Sequence, residues 1–583
     1  MDLVSCVALT ILQLIALQPV RKLDSLLILK SFLALFTLQY TLLKICRVVL
    51  YPNFFSPLRH LPGPKDHNLL LGQEIKKFRA DSPVGAQLEW MHRWPDAPFI
   101  RYLSFAGKEA LVVNNLAAHK AVLQTHVYDF VKPPFFSRLV GEITGVGLLF
   151  SEGEAHKRER RLLAGPFSIP SMRKLLPIFQ MKARGLSDVF EGALGNKPYT
   201  SLEVVETFSK STMETICMTV LGIEQDTLSS KYPLGFQELY SRVLHQGPLG
   251  QLISVINAFV PIRRIVPLEA NYRFIQATAD LRTMLREIIQ QRAADLADGT
   301  FKREMGESRD LLTYMLEEAQ LRRQESGIEV WATDDIIGHL LNFTSAGLTP
   351  EIHTQSTHLG LIDHFLGHES TATTMAWALY VLATNHHLQD RLRSEIQSLL
   401  ETSPHPDYDE ISNLPYLNNF IREVLRLYSP SLMSIRSTSR DLTIEGVAIP
   451  AGTQIDINMA IMHRHPSVWG ASAPAFDPDR WDRLAGDAAS PYAFQAFLQG
   501  PRMCPGRNFA LVQVKTVLVA LVRRWRFLGV ERWGEGKGKG KGKGEGGELL
   551  SGGEEEVGRG VRLANPSLTY RPADGLLVRF ERL

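Results

Sequence analysis

The sequence predicts a mainly α-helical protein with small β-sheets, preceded by an N-terminal membrane anchor. Long segments with the amphipathic periodicity of helices fill residues 170–345 and 369–430. Strand-like alternation is confined to short stretches, notably Phe99–Val113 around a glycine turn and Leu442–Ile457 around a Pro-Ala-Gly turn. The start of the chain is strongly apolar. With 583 residues, the protein has room for one large domain behind this anchor.

The anchor, residues 1–50, contains two apolar segments. Leu3–Val20 and Leu26–Leu43 are each close to the ~20 residues that a spanning helix needs, so the sequence allows one span or a helical hairpin. The first segment lacks a basic start and a small-residue cleavage site, which argues against a cleaved signal peptide. Lys44 and Arg47 follow the second segment, which predicts that the rest of the chain lies in the cytosol.

Composition excludes several classes of protein. The net charge is only +3, too small to indicate nucleic-acid binding, and no nucleic-acid motif is present. The cysteines are Cys6, Cys46, Cys217 and Cys504, and two of them lie in the apolar N-terminus. No disulfide framework is therefore expected, which fits a reducing, cytosol-facing domain. Residues 534–560 combine Gly-Lys repeats with an acidic run and predict a disordered loop insertion.

One cysteine sits in a sequence context suited to metal ligation. Cys504 lies between two prolines, with Gly500 and Gly506 on either side, just before a predicted helix from Phe509 to Leu521. A thiolate at a helix N-terminus is stabilised by the helix dipole and by backbone N–H groups. These are the requirements of an axial thiolate ligand to haem iron. The alternative is a buried structural cysteine in a turn.

The context of this cysteine resembles a known signature. Phe497, Gly500, Arg502, Cys504 and Gly506 match, in order and spacing, the haem-binding signature of the cytochrome P-450 superfamily. The resemblance covers roughly residues 60–530, and Pro572–Phe580 is similar to the closing β-hairpin of that family. It implies the cytochrome P-450 fold and a haem b cofactor whose iron is axially ligated by Cys504.

The resemblance assigns three residues to a structural network. Glu423 and Arg426 are three residues apart, on one face of a helical segment. Arg480, in the stretch Phe476–Trp481, is similar to the arginine that the family sends back to this pair. A glutamate held by two guanidinium groups would stabilise the scaffold beside the haem, without a chemical role.

Further residues are implied as contacts of the haem propionates. His156 stands where the family usually has tryptophan, and Arg160 follows four residues later. Arg436 is similar to the family's strand arginine, and Arg502 is a further donor. Buried anions such as propionates need several cations around them. The neighbouring basic residues of the helix that begins at Gly153 would form a docking face for an acidic reductase.

The resemblance also divides the chain into parts. Residues 1–50 are the anchor, and residues 51–66, with Leu61-Pro62-Gly63-Pro64, are similar to the family's proline-rich hinge, which would act as a semi-rigid spacer. Residues 67–583 form the haem-thiolate domain. Residues 348–367 interrupt the expected oxygen-activating helix, and Thr349-Pro350 would break a helix there. We hypothesise a retained intron, because joining Gly347 to His368 restores a continuous helical pattern; the alternative is a looped-out insertion.

Downstream of this interruption lie the residues implied in catalysis. Glu369 would deliver protons toward O2 activated at the haem. Ser370 occupies the family's usual threonine position, and Thr371 could share its task. The serine hydroxyl can make the same hydrogen bond, although serine is less restrained at χ1 than a β-branched residue.

These features together predict a membrane-bound haem-thiolate monooxygenase. It would hydroxylate or epoxidise a lipophilic small molecule in fungal secondary metabolism, such as a terpenoid, polyketide or alkaloid, using O2 and electrons from NADPH–cytochrome P-450 reductase, with cytochrome b5 as a second candidate partner. The expected location is the endoplasmic reticulum membrane, with the apolar run Gly247–Leu268 dipping into the bilayer. The alternatives are a fatty-acid hydroxylase, a haem-thiolate isomerase or dehydratase, and an inactive haem binder if residues 348–367 are retained.

Overall fold

The computed structural model describes most of the chain. The described residues are 2–17, 25–145, 147–223, 239–240, 242–243, 246–301, 309–327, 329–345, 370–531, 549–550, 561–565 and 569–583. The suspected insertion 348–367 and Glu369 lie outside them. Of the predicted low-complexity loop 534–560, only Leu549–Leu550 is described, and it forms a short strand.

Helices make up most of the described chain, as predicted. They are α1 (Asp2–Leu17), α2 (Ser25–Ile45, continued as a π-helix over Cys46–Phe55), α3 (Glu74–Arg79), α4 (Gly85–Arg93), α5 (Leu116–Lys120), α6 (Pro134–Thr144), α7 (Gly153–Leu162), α8 (Ile169–Leu194), α9 (Val204–Ile216), α10 (Gly247–Phe259), α11 (Glu269–Ala297), α12 (Leu311–Ser326), α13 (Thr333–Ser345), α14 (Ser370–Thr384), α15 (His386–Thr402), α16 (Tyr408–Ser412), α17 (Pro415–Leu427), α18 (Met459–Arg464), α19 (Pro466–Trp469) and α20 (Arg507–Val522).

The strands form small sheets beside the helices. They are β1 (Phe99–Leu103), β2 (Glu109–Val113), β3 (Phe130–Val131), β4 (Thr200–Glu203), β5 (Met433–Thr438), β6 (Leu442–Ile444), β7 (Val447–Ile449), β8 (Gln454–Asn458), β9 (Trp525–Glu531), β10 (Leu549–Leu550) and β11 (Leu577–Arg582). One sheet has the order β1-β2-β8-β5-β3, a second has the order β10-β9-β11-β4, and β6 and β7 pair alone. The predicted mainly α fold with small sheets is confirmed.

One predicted turn is wrong in its position. The sequence pattern placed the turn of a hairpin at Pro450–Gly452, but the hairpin turns earlier, between β6 and β7, where Glu445 and Gly446 both have positive φ. The Pro-Ala-Gly stretch instead connects β7 to β8, which belong to different sheets. A two-residue turn with both φ values positive matches the twist of paired strands, whereas proline cannot adopt that conformation.

The centre of the core is α14. All of its side chains from Thr371 to Ala383 are buried, so this helix has no solvent face. It packs against α9, α17 and α20, and thus contacts the helix that follows Cys504. Helix α13 also contacts α9, so the two helices on either side of the suspected insertion share one packing partner.

The N-terminal helices form a hairpin. Helices α1 and α2 pack together, and the Thr10 hydroxyl lies 3.4 Å from Oε1 of Gln39, whose amide donates to Gln13. Leu26–Phe55 is the one helix of the described residues that is long and apolar enough to cross a membrane. Because it continues to Phe55, the first five residues of the predicted hinge are helical.

Candidate active site

The loop of Cys504 is held by its own backbone. The N–H of Cys504 donates to the carbonyl of Phe497 at 2.8 Å, and the loop ends where α20 begins at Arg507. Cys504 is exposed at the surface, although the surrounding protein desolvates its thiol. Burial raises the pKa of its thiol, while a hydrogen bond from the backbone N–H of Gly506 and the charge of Arg160 lower it. The sulfur is thus accessible and has donors suited to its thiolate form.

Glycine is required at one end of this loop more than at the other. Gly500 has a φ of +74°, and a Cβ there would lie 2.2 Å from the carbonyl oxygen of Leu123. A Cβ on Gly506 would lie 3.9 Å from Sγ of Cys504, which is an ordinary contact. Glycine is therefore needed for steric reasons at Gly500, where the loop passes close to the backbone of the π-helical turn Ala121–Thr125.

Basic side chains converge next to the cysteine loop. Arg436 of β5 is 7% exposed, and the Arg502 side chain is 5% exposed. Arg502 donates to Glu152 and to the carbonyl of Ser151 (3.3 Å), but its buried Nε has no partner among the described residues. The buried His156 ring bonds the Tyr128 hydroxyl at 3.3 Å. The structure therefore brings three of the four predicted propionate contacts beside a single carboxylate, that of Glu152.

Lys132 belongs to the same cluster and was missed by the sequence analysis. Its side chain is 6% exposed, and its ammonium group lies 3.8 Å from Glu152. Burial, reinforced by Arg436 and Arg502, lowers the pKa of Lys132 to about 7, and Glu152 only partly offsets this. No motif signals this lysine, because it reaches the site from the short segment between β3 and α6, far from the cysteine in sequence.

The cluster carries more positive charge than its own carboxylate balances. Burial lowers the pKa of His156 to about 4, helped by Arg502, Lys132 and Arg160. Burial also lowers the pKa of Arg436 to about 10, with Arg502 acting in the same direction. Burial lowers the pKa of Arg160, which the nearby Cys504 partly offsets. A group bearing two carboxylates, as haem does, would supply the missing anions, so these residues fit it.

The pKa of Lys132 leads to a prediction about haem retention. The haem propionates would favour the charged form of Lys132. Above pH 7 the lysine would be mostly neutral without haem, so haem binding must take up a proton. The contribution of Lys132 to the affinity for haem then falls by up to about tenfold per pH unit. Replacing Lys132→Gln should therefore speed haem transfer to an acceptor globin strongly at pH 7, and much less at pH 9.

The measured quantity is the ratio of haem-loss rates of variant and wild type. The Cys504 thiol must also lose a proton to ligate iron, but it affects both proteins equally and cancels in this ratio. Lys157→Gln is the control, because Lys157 is exposed and pairs with Glu154 on the same surface. A ratio for Lys132→Gln that stays constant from pH 7 to pH 9 would contradict the assignment.

The predicted structural network is assembled around Glu423. Arg426 donates to both oxygens of this carboxylate at 2.7 and 2.8 Å, and Arg480 donates to it at 3.2 Å. Trp481 Nε1 and the backbone N–H of Asp477 complete its partners. Glu423 and Arg426 are fully buried. The remaining donors of both arginines bind backbone carbonyls, except that one Arg480 donor bonds the Ser472 hydroxyl at 3.2 Å.

The predicted catalytic residues lie at the start of α14. Ser370 is its first residue and is half-buried, and Thr371 is 7% exposed. The hydroxyl of Thr373 is buried without a partner among the described residues, whereas that of Thr374 donates to the carbonyl of Ser370 at 2.7 Å. The prediction for Glu369 lies outside the described residues.

Another buried carboxylate, that of Glu159, connects α7 to α13. Glu159, next to Arg160 on α7, accepts hydrogen bonds from Trp331 Nε1 (2.7 Å) and His339 Nε2 (3.1 Å). Burial raises the pKa of Glu159, but the donors His339 and Trp331 outweigh it and the net pKa is lowered. This contact fixes α7 against α13. The sequence did not predict that Glu159 is buried, because it lies within a run of basic residues.

A comparison with models of protein families identifies the family to which this chain belongs. The model described as Cytochrome P450 matches residues 99–532. The chain belongs to the cytochrome P450 family. The P450 is similar to the cytochrome P450 monooxygenase sphH of Aspergillus fumigatus, with 27% identity over 82% of this chain and 85% of the relative. It is also similar to the cytochrome P450 monooxygenase FUM15 of Gibberella moniliformis, with 27% identity over 82% and 84%.

The fold and family also fix the cofactor and the type of reaction. The solved cytochrome P450DA heme domain superposes with a TM-score of 0.67, covering 90% of this chain and 98% of that domain at 20% identity. The P450 is therefore a haem-dependent monooxygenase whose iron is ligated by a cysteine thiolate. The family also implies a redox partner, O2 and a small-molecule substrate.

Proposed function

We propose that this P450 hydroxylates or epoxidises a lipophilic secondary metabolite (a terpenoid, polyketide or alkaloid) that reaches the site from a membrane. Electrons would come from NADPH–cytochrome P450 reductase, with cytochrome b5 as a second candidate donor. One atom of O2 enters the substrate and the other leaves as water, as NADPH is oxidised. The proposed location is the endoplasmic reticulum membrane, with the catalytic domain in the cytosol.

The observation that carries this proposal is the inside-out character of α10. Its exposed side chains are apolar and follow helical spacing at Leu249, Leu252, Ile256 and Phe259. Its buried side chains include polar ones, such as Asn257, whose amide donates to Glu142 at 2.6 Å. An exposed apolar stripe over a buried polar network is the arrangement of a helix that faces lipid.

This helix also adjoins the residues that would contact substrate. The Phe259 ring stacks on Phe135 of α6 with centroids 5.4 Å apart. Phe136 and Phe150 contact each other behind this pair, and α6 packs on α13. A lipophilic molecule leaving the bilayer at α10 would therefore meet aromatic side chains on the way to the cysteine side of the core.

The chain's own residues would divide the work of the reaction. Bound haem supplies the redox chemistry that splits O2. Cys504 would hold the iron, and Lys132, His156, Arg160, Arg436 and Arg502 would hold the propionates. Glu369 would pass protons inward, and the hydroxyls of Ser370 and Thr371 would position them at the distal side of the haem.

The redox partner would dock on the outer face of α7. Lys157, Arg158 and Arg161 are exposed there, on the helix whose inner face carries His156. Lys157 and Arg158 pair with glutamates, so the net charge of this face is modest. Complementary charge would steer the partner mainly through the association rate, which predicts a rate that falls as salt rises.

The test is NADPH-dependent turnover of the full-length P450 with reductase, in membranes, against a panel of terpenoid, polyketide, alkaloid and fatty-acid substrates. Oxygenated products that carry one atom from 18O2 support the proposal. Products formed only from fatty acids would indicate a fatty-acid hydroxylase. Rearrangement of a peroxide without NADPH would overturn the proposal in favour of an isomerase or dehydratase.

The apolar stripe leads to a prediction of its own. Replacing Leu252→Glu and Ile256→Glu should raise KM for a lipophilic substrate several-fold with little change in kcat, because the stripe delivers substrate and takes no part in chemistry. The control is Gln276→Glu, on the exposed face of α11. Loss of kcat with unchanged KM would contradict the delivery role.

A further inference from the structure

The imidazole of His156 carries its hydrogen differently from the tryptophan that is usual at this position in the family. Tryptophan has a single ring N–H, which can only donate. A neutral histidine carries one hydrogen on either of its two nitrogens, and the other nitrogen is an acceptor. Burial lowers the pKa of His156 to about 4, so the ring is neutral at pH 7. The charged groups near the ring are Arg502, Lys132, Arg160 and Glu152.

The position of this hydrogen decides what His156 can do at a haem propionate. A ring nitrogen without hydrogen presents a lone pair, which repels a carboxylate oxygen. A ring nitrogen with hydrogen donates to that oxygen, and a hydrogen bond to an ionised acceptor is among the stronger ones. The hydrogen bond made by the far nitrogen sets which of the two forms is present.

One nitrogen of this ring already has such a partner. Nδ1 of His156 lies 3.3 Å from the Tyr128 hydroxyl. Nε2 has no hydrogen-bond partner among the described residues, although His156 is only 4% exposed. A phenol O–H that donates to Nδ1 requires the imidazole hydrogen to be on Nε2. Nε2 then becomes an obligate donor, as the indole nitrogen of tryptophan is.

The Tyr128 ring is held in place without its hydroxyl. The carbonyl of the next residue, Asp129, accepts a hydrogen bond from the N–H of Ser439 at 2.8 Å, just after β5. The Arg502 guanidinium lies 5.3 Å from the centre of the Tyr128 ring. The rings of Tyr128 and His156 contact each other with centroids 5.9 Å apart. Phenylalanine at position 128 would keep these contacts and lose the hydroxyl alone.

We propose that Tyr128 is a positioning residue that fixes the hydrogen of His156 on Nε2, so that an imidazole can take the place of tryptophan at a haem propionate. This role rests on the propionate contact of His156 proposed above. The Tyr128 hydroxyl is used on Nδ1, and its effect reaches the haem only through His156.

The test measures the rate of haem transfer from full-length, haem-loaded variants to an acceptor globin. It is made at pH 8, well above the pKa of His156, where the ring is neutral. Tyr128→Phe should speed haem loss about five-fold, the typical effect of one hydrogen bond. In a His156→Trp protein the indole needs no second group, so adding Tyr128→Phe should leave the rate unchanged.

A spectroscopic signature and a matched control accompany these rates. The propionate bending bands in the resonance Raman spectrum should shift in Tyr128→Phe, but adding this change to His156→Trp should not move them. Tyr314→Phe is the control, because the Tyr314 hydroxyl donates to the Leu162 carbonyl at the other end of α7, at 3.1 Å. It should leave the haem-loss rate and the Raman bands at their wild-type values.

Three results would overturn the proposal. Wild-type haem loss from Tyr128→Phe, with faster loss from His156→Phe, would refute the role of Tyr128 alone. Equal acceleration by Tyr128→Phe in the wild-type and His156→Trp proteins would mean that the phenol acts without His156, on the propionate itself or on the fold. Wild-type haem loss from His156→Phe would refute the propionate contact of His156, and the role of Tyr128 with it.

Discussion

Replacing Cys504→Ser is expected to abolish the red-shifted absorption band of the reduced carbon monoxide complex and to reduce NADPH-dependent turnover to an undetectable level. The serine hydroxyl is not deprotonated at neutral pH and cannot donate electron density to the iron as a thiolate does. Haem content should fall less than activity, because the basic cluster around Arg436 and Arg502 is untouched. The measurements are the difference spectrum and the haem content per chain.

The chain offers a matched control for this experiment. Cys217 is fully buried, and burial raises the pKa of its thiol to about 12, so it is an inert structural cysteine. Cys217→Ala should keep the red-shifted band and most of the activity. A Cys504→Ser protein that retains the band would refute the assignment of the iron ligand.

Replacing Glu423→Ala is expected to prevent the chain from folding into a haem-loaded form. The substitution leaves Arg426 and Arg480 as buried guanidinium groups without their carboxylate. Removing one partner of a buried ion pair costs about 3–5 kcal/mol, a large part of the roughly 5–15 kcal/mol by which domains are stable. The measurements are the yield of haem-loaded protein and its thermal midpoint.

The control is an ion pair with the same spacing on the surface. Glu154 and Lys157 are also three residues apart on a helix, but the Glu154 side chain is 86% exposed. Glu154→Ala should cost less than about 1 kcal/mol. Arg480→Lys, which keeps the charge but loses the forked donor, should give a folded protein of intermediate stability. Equal thermal midpoints for Glu423→Ala and Glu154→Ala would contradict the expectation.

The sequence predicted best where function depends on residues close together in the chain. The cysteine loop, the Glu423–Arg426 pair and the helix containing His156 are local patterns, and their spacing is set by the backbone.

The sequence predicted least where the contact is made across the fold. Lys132 and Glu152 belong to separate segments of the chain, and both are part of the basic cluster. Glu159 accepts a hydrogen bond from His339, which lies 180 positions later in the sequence. Nothing local marks such residues, because their burial depends on how α7, α13 and the segment after β3 pack. The hairpin turn was misplaced for another reason. A Pro-Ala-Gly stretch is typical of turns, but this two-residue hairpin turn has positive φ at both positions, which Glu445 and Gly446 adopt and proline cannot.

The inside-out helix α10 also determines how this protein can be handled. A shortened chain that begins after residue 56 would lose the crossing helix and the Ser56–Glu109 contact, yet it would keep the outward row of Leu249, Leu252, Ile256 and Phe259. In detergent-free buffer the exposed apolar side chains of α10 on one copy would pack against those on another. Such a chain should therefore run as oligomers in gel filtration and separate into single copies only when mild detergent is added.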